Sequence, residues 1–310
     1  TVSVTRFRWG KFVGATGAVS GVLTSTPAIG TGGVVYVAVA NGARAGMVGV
    51  NPDGTESWAS ASGAVAGVPV IGSTPANGEW LMFQQATAGG AVLTYNVGGT
   101  TGVTCSPPPM TNNQTSSGGL VLVGTDTANV GSVALQGGTP ATGGGMIGRL
   151  TVPLNASGCN PTATGGLSRV AAPGNMVANA NSVFFVDNNN DLKQLDYSLP
   201  GVPTLLQQPT LANINPGVGI VNGLVMLSGV RIAGGGGPGI GKLFAFEIDG
   251  GSAWTAPTPL SGPTSGPAVG AGVLFAQYRQ SNASALLRVD AATGVVQASL
   301  ALPGSSFTGN

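Results

Sequence analysis

The sequence predicts an all-β chain folded as a β-propeller, which is a ring of four-stranded antiparallel sheets called blades. Short apolar runs rich in β-branched residues alternate with clusters of Gly, Asn, Asp and Ser, a pattern typical of strands joined by hairpins. The same order of strands and turns recurs about every 40 to 50 residues, a period typical of propeller blades. The 54 glycines and 21 prolines among 310 residues suit the many tight turns of such a fold.

The repeating unit is clearest near the end of the chain, in residues 265–300. Three apolar runs follow one another there, separated by polar turns, at residues 273–278, 285–289 and 295–300. Residues 25–60 show the same order, with a proline-containing start, a Gly turn, two apolar runs, an Asp-Gly turn and Trp58. Each segment is therefore predicted to be one antiparallel meander.

A proline marks the start of each repeat. These prolines are Pro27, Pro69, Pro109, Pro173, Pro216 and Pro267. The longest gap, of 64 positions, follows Pro109, and residues 131–145 within it are predicted to be an inserted flexible loop. A second inserted loop is predicted around residues 231–241. The count favours six blades, and seven remain possible if the first residues pair with more of the chain.

The predicted propeller occupies residues 25–302. Residues 1–24 are predicted to supply one or two strands that close the ring, and residues 303–310 form a polar tail. Basic and aromatic side chains alternate near the start, at Arg6, Phe7, Arg8, Trp9, Lys11 and Phe12. This alternation fits an edge strand, with a stacking site for bases or sugars as the alternative.

The composition is poor in charge. Only 7% of the residues are charged, and the net charge is +1, so no global field attracts nucleic acid or an anionic membrane surface. A charge-poor surface packs against other subunits at little desolvation cost. No apolar run reaches the length of a membrane span, so no membrane insertion is expected. The chain begins with Thr and shows no signal peptide, as a processed export product would, and we expect a secreted, periplasmic or cell-surface location.

The sequence has two cysteines, Cys105 and Cys159, each in a turn-like setting. In an exported chain two cysteines most simply form one disulfide, and a loop of this length would stabilise the fold by about 4 kcal/mol. Two unpaired small core residues are the alternative.

Catalytic groups are few. The chain contains no His, which excludes Ser-His-Asp and Cys-His nucleophile activation as well as His-ligated metals. Among its ten carboxylates, Asp53, Asp249 and Asp290 lie at equivalent repeat turns, where we expect each to accept hydrogen bonds from its own turn backbone.

The densest polar cluster runs from position 187 to 191. Asp187, Asn189 and Asp191 place oxygen-bearing side chains at alternate positions, as in the opening of a Ca²⁺ loop. The Gly and the distal Glu of an EF-hand loop are missing, and a hairpin turn is expected at this point of the repeat. A turn is the favoured interpretation and a Ca²⁺ site the alternative.

Three turns carry a family resemblance. Residues 50–58 (VNPDGTESW) and 248–254 (IDGGSAW) resemble the turn of the pyrroloquinoline-quinone-like (quinoprotein) propeller repeat, in which an apolar residue and Asp precede a Gly and then a Trp. Residues 289–294 (VDAATG) match that turn more closely, although Ala298 stands in the Trp position. Residues 25–29 and 34–37 resemble the opening of the same repeat.

The resemblance implies the fold without the redox cofactor. Quinoprotein dehydrogenases use an eight-bladed ring of nearly twice this length, a vicinal disulfide and a Ca²⁺ beside a catalytic Asp, and this chain offers no matching residues. Members of the non-enzymatic branch are assembly factors, adhesins or scaffold subunits. We therefore predict a non-catalytic binding or scaffold subunit that acts through one disc face and its inserted loops. The alternatives are a Ca²⁺-dependent adhesin of pilus-tip type and a degenerate quinoprotein or carbohydrate-active enzyme.

Overall fold

The computed structural model describes the strands of the chain and several of the turns between them. The described residues are 27–39, 45–60, 63–74, 78–85, 92–96, 102–105, 120–124, 129–137, 146–153, 160–163, 176–179, 182–186, 191–196, 204–207, 213–231, 240–254, 258–260, 268–270, 272–280 and 283–302. Within them the chain forms six four-stranded antiparallel sheets, each a meander in chain order. The predicted four-stranded repeat is therefore confirmed for these residues, while the number of blades and the closure of a ring stay predictions.

The chain divides into two compact units, residues 1–166 and 167–310. The first unit holds three sheets. Sheet 1 consists of β1 (Ala28–Ile29), β2 (Val35–Val39), β3 (Gly46–Val50) and β4 (Glu56–Ser60), with a single 3-10 turn at Thr31–Gly33. Sheet 2 consists of β5 (Val65–Thr74), β6 (Gly78–Gln85), β7 (Val92–Asn96) and β8 (Gly102–Cys105). Sheet 3 consists of β9 (Leu120–Gly124), β10 (Asn129–Gly137), β11 (Met146–Pro153) and β12 (Asn160–Ala163).

The second unit also holds three sheets. Sheet 4 consists of β13 (Met176–Ala178), β14 (Ser182–Val186), β15 (Leu192–Asp196) and β16 (Thr204–Gln207). Sheet 5 consists of β17 (Asn213–Val221), β18 (Leu224–Arg231), β19 (Ile240–Glu247) and β20 (Thr258–Leu260). Sheet 6 consists of β21 (Ala268–Gly270), β22 (Val273–Gln280), β23 (Ala283–Asp290) and β24 (Val296–Leu302).

The cores of both units lie between successive sheets. Side chains alternate across each strand, so a strand in the middle of a sheet contributes to an apolar layer on each face. The layer between sheets 1 and 2 contains Tyr36, Ala38, Met47, Val65, Leu81 and Phe83. Between sheets 5 and 6 the layer includes Met226, Leu243, Leu274, Ala276, Leu287 and Val289. This packing explains why the strand sequences carry so many small and β-branched apolar residues.

The insertion predicted at residues 131–145 is wrong over its first part. Residues 131–137 belong to β10, which pairs with β9 on one side and β11 on the other. Val133 pairs with Leu122 of β9 and with Leu150 of β11, so the backbone of this segment lies inside the sheet, with a register shift between Ser132 and Val133. Glycines at positions 131 and 137 lie on either side of the apolar residues of this strand, and their turn-like composition led to the prediction of a loop. Residues 138–145 and most of the second predicted insertion lie outside the described residues.

Two of the repeat-starting prolines lie inside strands. Pro69 in β5 falls at the irregularity between Ala66 and Val70, and Pro216 in β17 falls at the one between Ile214 and Val218. Proline lacks the N–H that a ladder requires, and a bulge removes that requirement locally. The prolines therefore mark the first strand of a sheet in these two repeats.

Residues 1–24 and 303–310, which were predicted to be closing strands and a polar tail, lie outside the described residues. Within the described part of the chain, none of the helical structure is long and apolar enough to cross a bilayer.

Candidate functional surface: the turn end of the sheets

The two ends of every sheet differ in the connections they carry. In a four-stranded meander, the links from the first to the second strand and from the third to the fourth strand lie at one end, which we call the turn end. The link from the second to the third strand lies at the opposite end, which we call the far end. The described turns with defined side-chain geometry lie at the turn end, at residues 29–35, 51–55, 221–224, 247–252 and 290–295.

The Asp residues of the third-to-fourth-strand turns fold their own backbone. Asp53 Oδ1 accepts hydrogen bonds from Thr55 N at 2.8 Å and from Thr55 Oγ1 at 2.6 Å. Asp249 Oδ1 accepts one from Gly251 N at 3.1 Å. The prediction that these carboxylates stabilise turns is thus confirmed, because each accepts from a backbone N–H two residues further along the chain.

Asp290 makes the most complete of these turns. Its Oδ1 accepts from Ala292 N at 3.1 Å, from Thr293 N at 2.9 Å and from Thr293 Oγ1 at 2.9 Å. Its Oδ2 accepts from Gln297 Nε2 at 3.1 Å. The hydroxyl and then the backbone N–H of Thr293 stabilise the ionised carboxylate, so they lower the pKa of Asp290 below its usual value.

A tryptophan ties the turn of sheet 5 to the turn of sheet 6. Trp254 is buried, and its indole Nε1 donates a hydrogen bond of 3.1 Å to the backbone O of Ala291. Within sheet 6, Ala291 N donates to Gly272 O, which lies in the link between β21 and β22. The turn end of these two sheets is therefore one continuous hydrogen-bonded surface.

A carboxylate joins sheets 1 and 2 at the turn end of the first unit. Glu79, the second residue of β6, reaches across to sheet 1, where its Oε2 accepts a hydrogen bond from Thr31 N. The phenol of Tyr36 on β2 faces the same carboxylate. Glu79 thus acts as a strap between two sheets, holding the first turn of one to the second strand of the next.

Burial and the strap together change the acidity of Tyr36. The side chain is 1% exposed, and its loss of hydration, followed by the charge of the nearby Glu79, raises the pKa of Tyr36 to about 12. The ring lies tightly between two glycines. A Cβ on Gly49 would come 3.0 Å from Tyr36 Cε1, and a Cβ on Gly30 would come 2.9 Å from Tyr36 Cε2 and would overlap Glu79 Oε1. This close approach explains glycine at both positions.

Exposed apolar side chains also occur at the turn end of sheets in each unit. Ile29, at the end of β1, is 70% exposed, and Val295, in the turn before β24, is 61% exposed. Val296, the first residue of β24, is 41% exposed. Large apolar side chains beside carboxylates on a turn surface are features of protein contact surfaces.

The predicted metal and disulfide residues are only partly within the described residues. Asp191 directly precedes β15 at the far end of sheet 4, whereas Asp187 and Asn189 lie outside the described part, so the Ca²⁺ site stays a prediction. Among the residues that the structure describes, no three His, Cys, Asp or Glu side chains are grouped to hold a metal. Cys105 is the last residue of β8 and Cys159 lies outside the described residues, so the disulfide also stays a prediction.

Sequence reasoning missed the strap formed by Glu79. Thr31 and Glu79 are 48 positions apart and belong to different repeats, so no local pattern connects them. The available signal was a carboxylate placed directly after a Gly turn and before the apolar run that begins at Trp80.

Comparison with known proteins identifies the fold. No protein-family model matches the chain, and no curated protein matches it. The chain is similar to a solved chain of the mitotic checkpoint complex, with a TM-score of 0.60 and 12% identity over 98% of this chain and 91% of the other. It is similar to a prolyl endopeptidase with a TM-score of 0.60 and 16% identity, over 89% of this chain and 40% of that one. A europium-containing methanol dehydrogenase is similar over 90% of this chain and 69% of the other, with a TM-score of 0.50 and 12% identity.

These neighbours are propellers, so the chain is an all-β protein of propeller-like fold. At such low identity the likeness shows the fold alone, and the neighbours include both enzymes and members of binding complexes.

Proposed function

We propose that this protein is a non-catalytic binding or scaffold subunit whose six sheets are the blades of a closed propeller, at work in an extracellular, periplasmic or cell-surface setting. Its working surface is the turn end. The observation that carries the proposal is found in each unit by itself: exposed Val295 adjoins the turn that Asp290 holds in sheet 6, and exposed Ile29 lies at the turn end of sheet 1, where Asp53 holds the other turn. A rigid surface with exposed apolar side chains binds a partner at low entropic cost.

The carboxylates with described geometry support a structural rather than a catalytic use. Asp53, Asp249 and Asp290 each accept hydrogen bonds from their own turn, and Glu79 accepts one from Thr31 N in the neighbouring sheet. A general acid–base pair needs a proton-transferring group within reach of a substrate. These four carboxylates instead accept hydrogen bonds from backbone N–H groups.

The proposal is tested by native mass spectrometry of the protein taken from its own source, with and without chelator and reductant. A co-purifying protein subunit or a large assembly is the expected result. A bare monomer that keeps a small organic ligand would contradict the proposal and favour a cofactor-bearing enzyme. A bare monomer that keeps Ca²⁺ until chelator is added would contradict it in favour of the Ca²⁺-dependent adhesin.

Two matched variants locate the surface. Val295→Lys at the turn end is expected to release the partner, because a charge replaces an exposed apolar contact. Leu300→Lys is the control, since Leu300 is 52% exposed on β24 but lies away from the turn. Equal loss of the partner in both variants would contradict a contact at the turn end.

A further inference from the structure

Charged residues of the second unit separate by sign toward the two ends of its sheets. The turn end carries four acidic residues and one arginine, which are Asp196, Glu247, Asp249, Asp290 and Arg288. Among the described residues, the strand positions near the far end hold four basic residues and one aspartate, which are Lys193, Arg231, Lys242, Arg279 and Asp191. The described charges therefore amount to −3 at one end and +3 at the other.

The strands keep these charges well apart. Lys242 and Glu247 lie on the same strand, five residues from each other, which is a separation of about 16 Å. This distance exceeds the Debye length of about 8 Å at physiological salt, so the two ends act as separate charged surfaces.

The charges of neighbouring sheets add at each end. Sheets 5 and 6 present their turn ends on the same side, since Trp254 Nε1 donates to Ala291 O across the two turns. The first hairpins of these sheets also adjoin, because a Cβ on Gly272 would lie 3.5 Å from Asn222 Nδ2. Glu247, Asp249 and Asp290 consequently share one surface.

The first unit repeats the acidic half of the pattern independently. Asp53 lies in the turn after β3, Glu56 begins β4 and Glu79 is the second residue of β6, so all three lie at the turn end of their sheets. Arg149, the basic residue of this unit that falls within the described residues, lies in the middle of β11. Acidic turn ends are thus a property of both halves of the chain.

We propose that the second unit binds a second copy of this chain head to tail, with the acidic turn end of one copy against the basic far end of the next. This inference rests on the proposed function, because it takes the turn end as the binding surface. Opposite charges at opposite ends favour a heterologous contact, whereas a two-fold contact would bring like charges together. Each added copy leaves one end of each sign unused, so association continues into a chain of subunits.

The charges determine the head-to-tail orientation of the two copies, and the remaining contacts at the interface contribute most of the affinity. An exposed ion pair contributes only about 0.2 to 1 kcal/mol, so three pairs change the affinity by roughly threefold to a hundredfold. The exposed Val295 beside Asp290 adds apolar contact. The association is therefore expected to be weak and sensitive to salt.

Sedimentation velocity of the purified full chain tests the inference. At about 0.02 M salt the sedimentation coefficient is expected to rise with protein concentration, and at about 0.5 M salt the rise is expected to disappear. The variant Glu247→Gln/Asp249→Asn removes charge from the turn end, and Lys242→Gln/Arg279→Gln removes it from the far end. Each is expected to weaken association about twofold to thirtyfold. An equal mixture of the two is expected to form a dimer that grows no further, because each variant keeps one charged end.

Arg288→Gln is the matched control, since it removes a charge of the opposite sign from the turn end. It is expected to leave association as strong as before or stronger. Circular dichroism melts check that all variants fold. A chain that stays monomeric at low salt, association that is insensitive to salt, or a mixture that forms no dimer would each overturn the inference. If the purified chain is monomeric while the protein from its source retains a different partner, this inference fails and the proposed function stands.

Discussion

Single carboxylates at the turn end act on the backbone beside them. Asp53, Asp249 and Asp290 occupy the same place in three repeats, and each fixes a turn by accepting from a backbone N–H two residues ahead. Local sequence was enough to predict this role, because the donor and the acceptor lie within one turn of chain. Asp290 makes one more contact. Its Oδ2 accepts a hydrogen bond from Gln297 Nε2, which links the turn to β24.

The lowered pKa of Asp290 predicts a pH-dependent contribution to stability. Because the folded state favours the ionised form, the contribution is present above the usual Asp pKa of 3.8 and is lost as the pH falls through the lower folded value. Asp290→Asn is therefore expected to be less stable than the natural protein at pH 7, and the difference is expected to shrink below about pH 3.8. Urea unfolding of both proteins between pH 7 and pH 2 measures this difference in the free energy of unfolding.

Thr293→Val provides the control for this effect. It removes the hydroxyl that contributes most to lowering the pKa of Asp290, so the pH dependence is expected to weaken in this variant. If the natural protein and the Asp290→Asn variant differ in stability by the same amount from pH 7 to pH 2, the carboxylate charge is excluded as the source of the difference.

At the scale of the element, strand periodicity was predictable and contacts between sheets were not. Short apolar runs predicted most of the middle strands, such as Ser182–Val186. This interpretation failed at β10, where flanking glycines suggested a loop although residues 132–135 pair on both sides. The strap from Glu79 to Thr31 was not predictable, because it depends on how two sheets face each other rather than on either sequence.

Gly30→Ala tests how strongly this strap couples sheets 1 and 2. The new methyl group would overlap Glu79 Oε1 and lie 2.9 Å from Tyr36 Cε2, so either the strap or the ring must move. We expect a loss of about 1 to 3 kcal/mol in the free energy of unfolding, as for other overpacked sites. The pKa of Tyr36 is expected to fall below about 12 as the carboxylate withdraws, which absorbance at alkaline pH measures.

Gly251→Ala is the matched control for Gly30→Ala. Its methyl group would meet Glu247 Oε2 at 3.4 Å and Asp249 Oδ1 at 3.5 Å, which are ordinary contacts, so little change in stability is expected. If both substitutions lower the free energy of unfolding by the same amount, crowding around the strap is not the reason for glycine at position 30.

At the scale of the whole molecule, the number of charges matters less than their placement. Composition gave a net charge of +1 and only 7% charged residues, which predicted a chain without a directing field. The composition could not show that acidic residues follow the ends of third strands while basic residues lie near their starts, as Glu247 and Lys242 do on β19. The end of the sheet at which a charged residue lies depends on the direction of its strand, which composition does not give.

This arrangement predicts how interactions between molecules respond to salt. Near the isoelectric point of about 7.7 net repulsion is smallest, and attraction between opposite ends makes the second virial coefficient negative at low salt. Added salt is expected to make it less negative, because it screens that attraction. A variant that combines Lys242→Gln, Glu247→Gln, Asp249→Asn and Arg279→Gln has the same net charge but reduces the two ends from −3 and +3 to −1 and +1, so it is expected to lose most of the response to salt. Static light scattering measures the second virial coefficient of both proteins at each salt concentration, and a coefficient that becomes more negative with salt would show that apolar contacts rather than charge placement govern association.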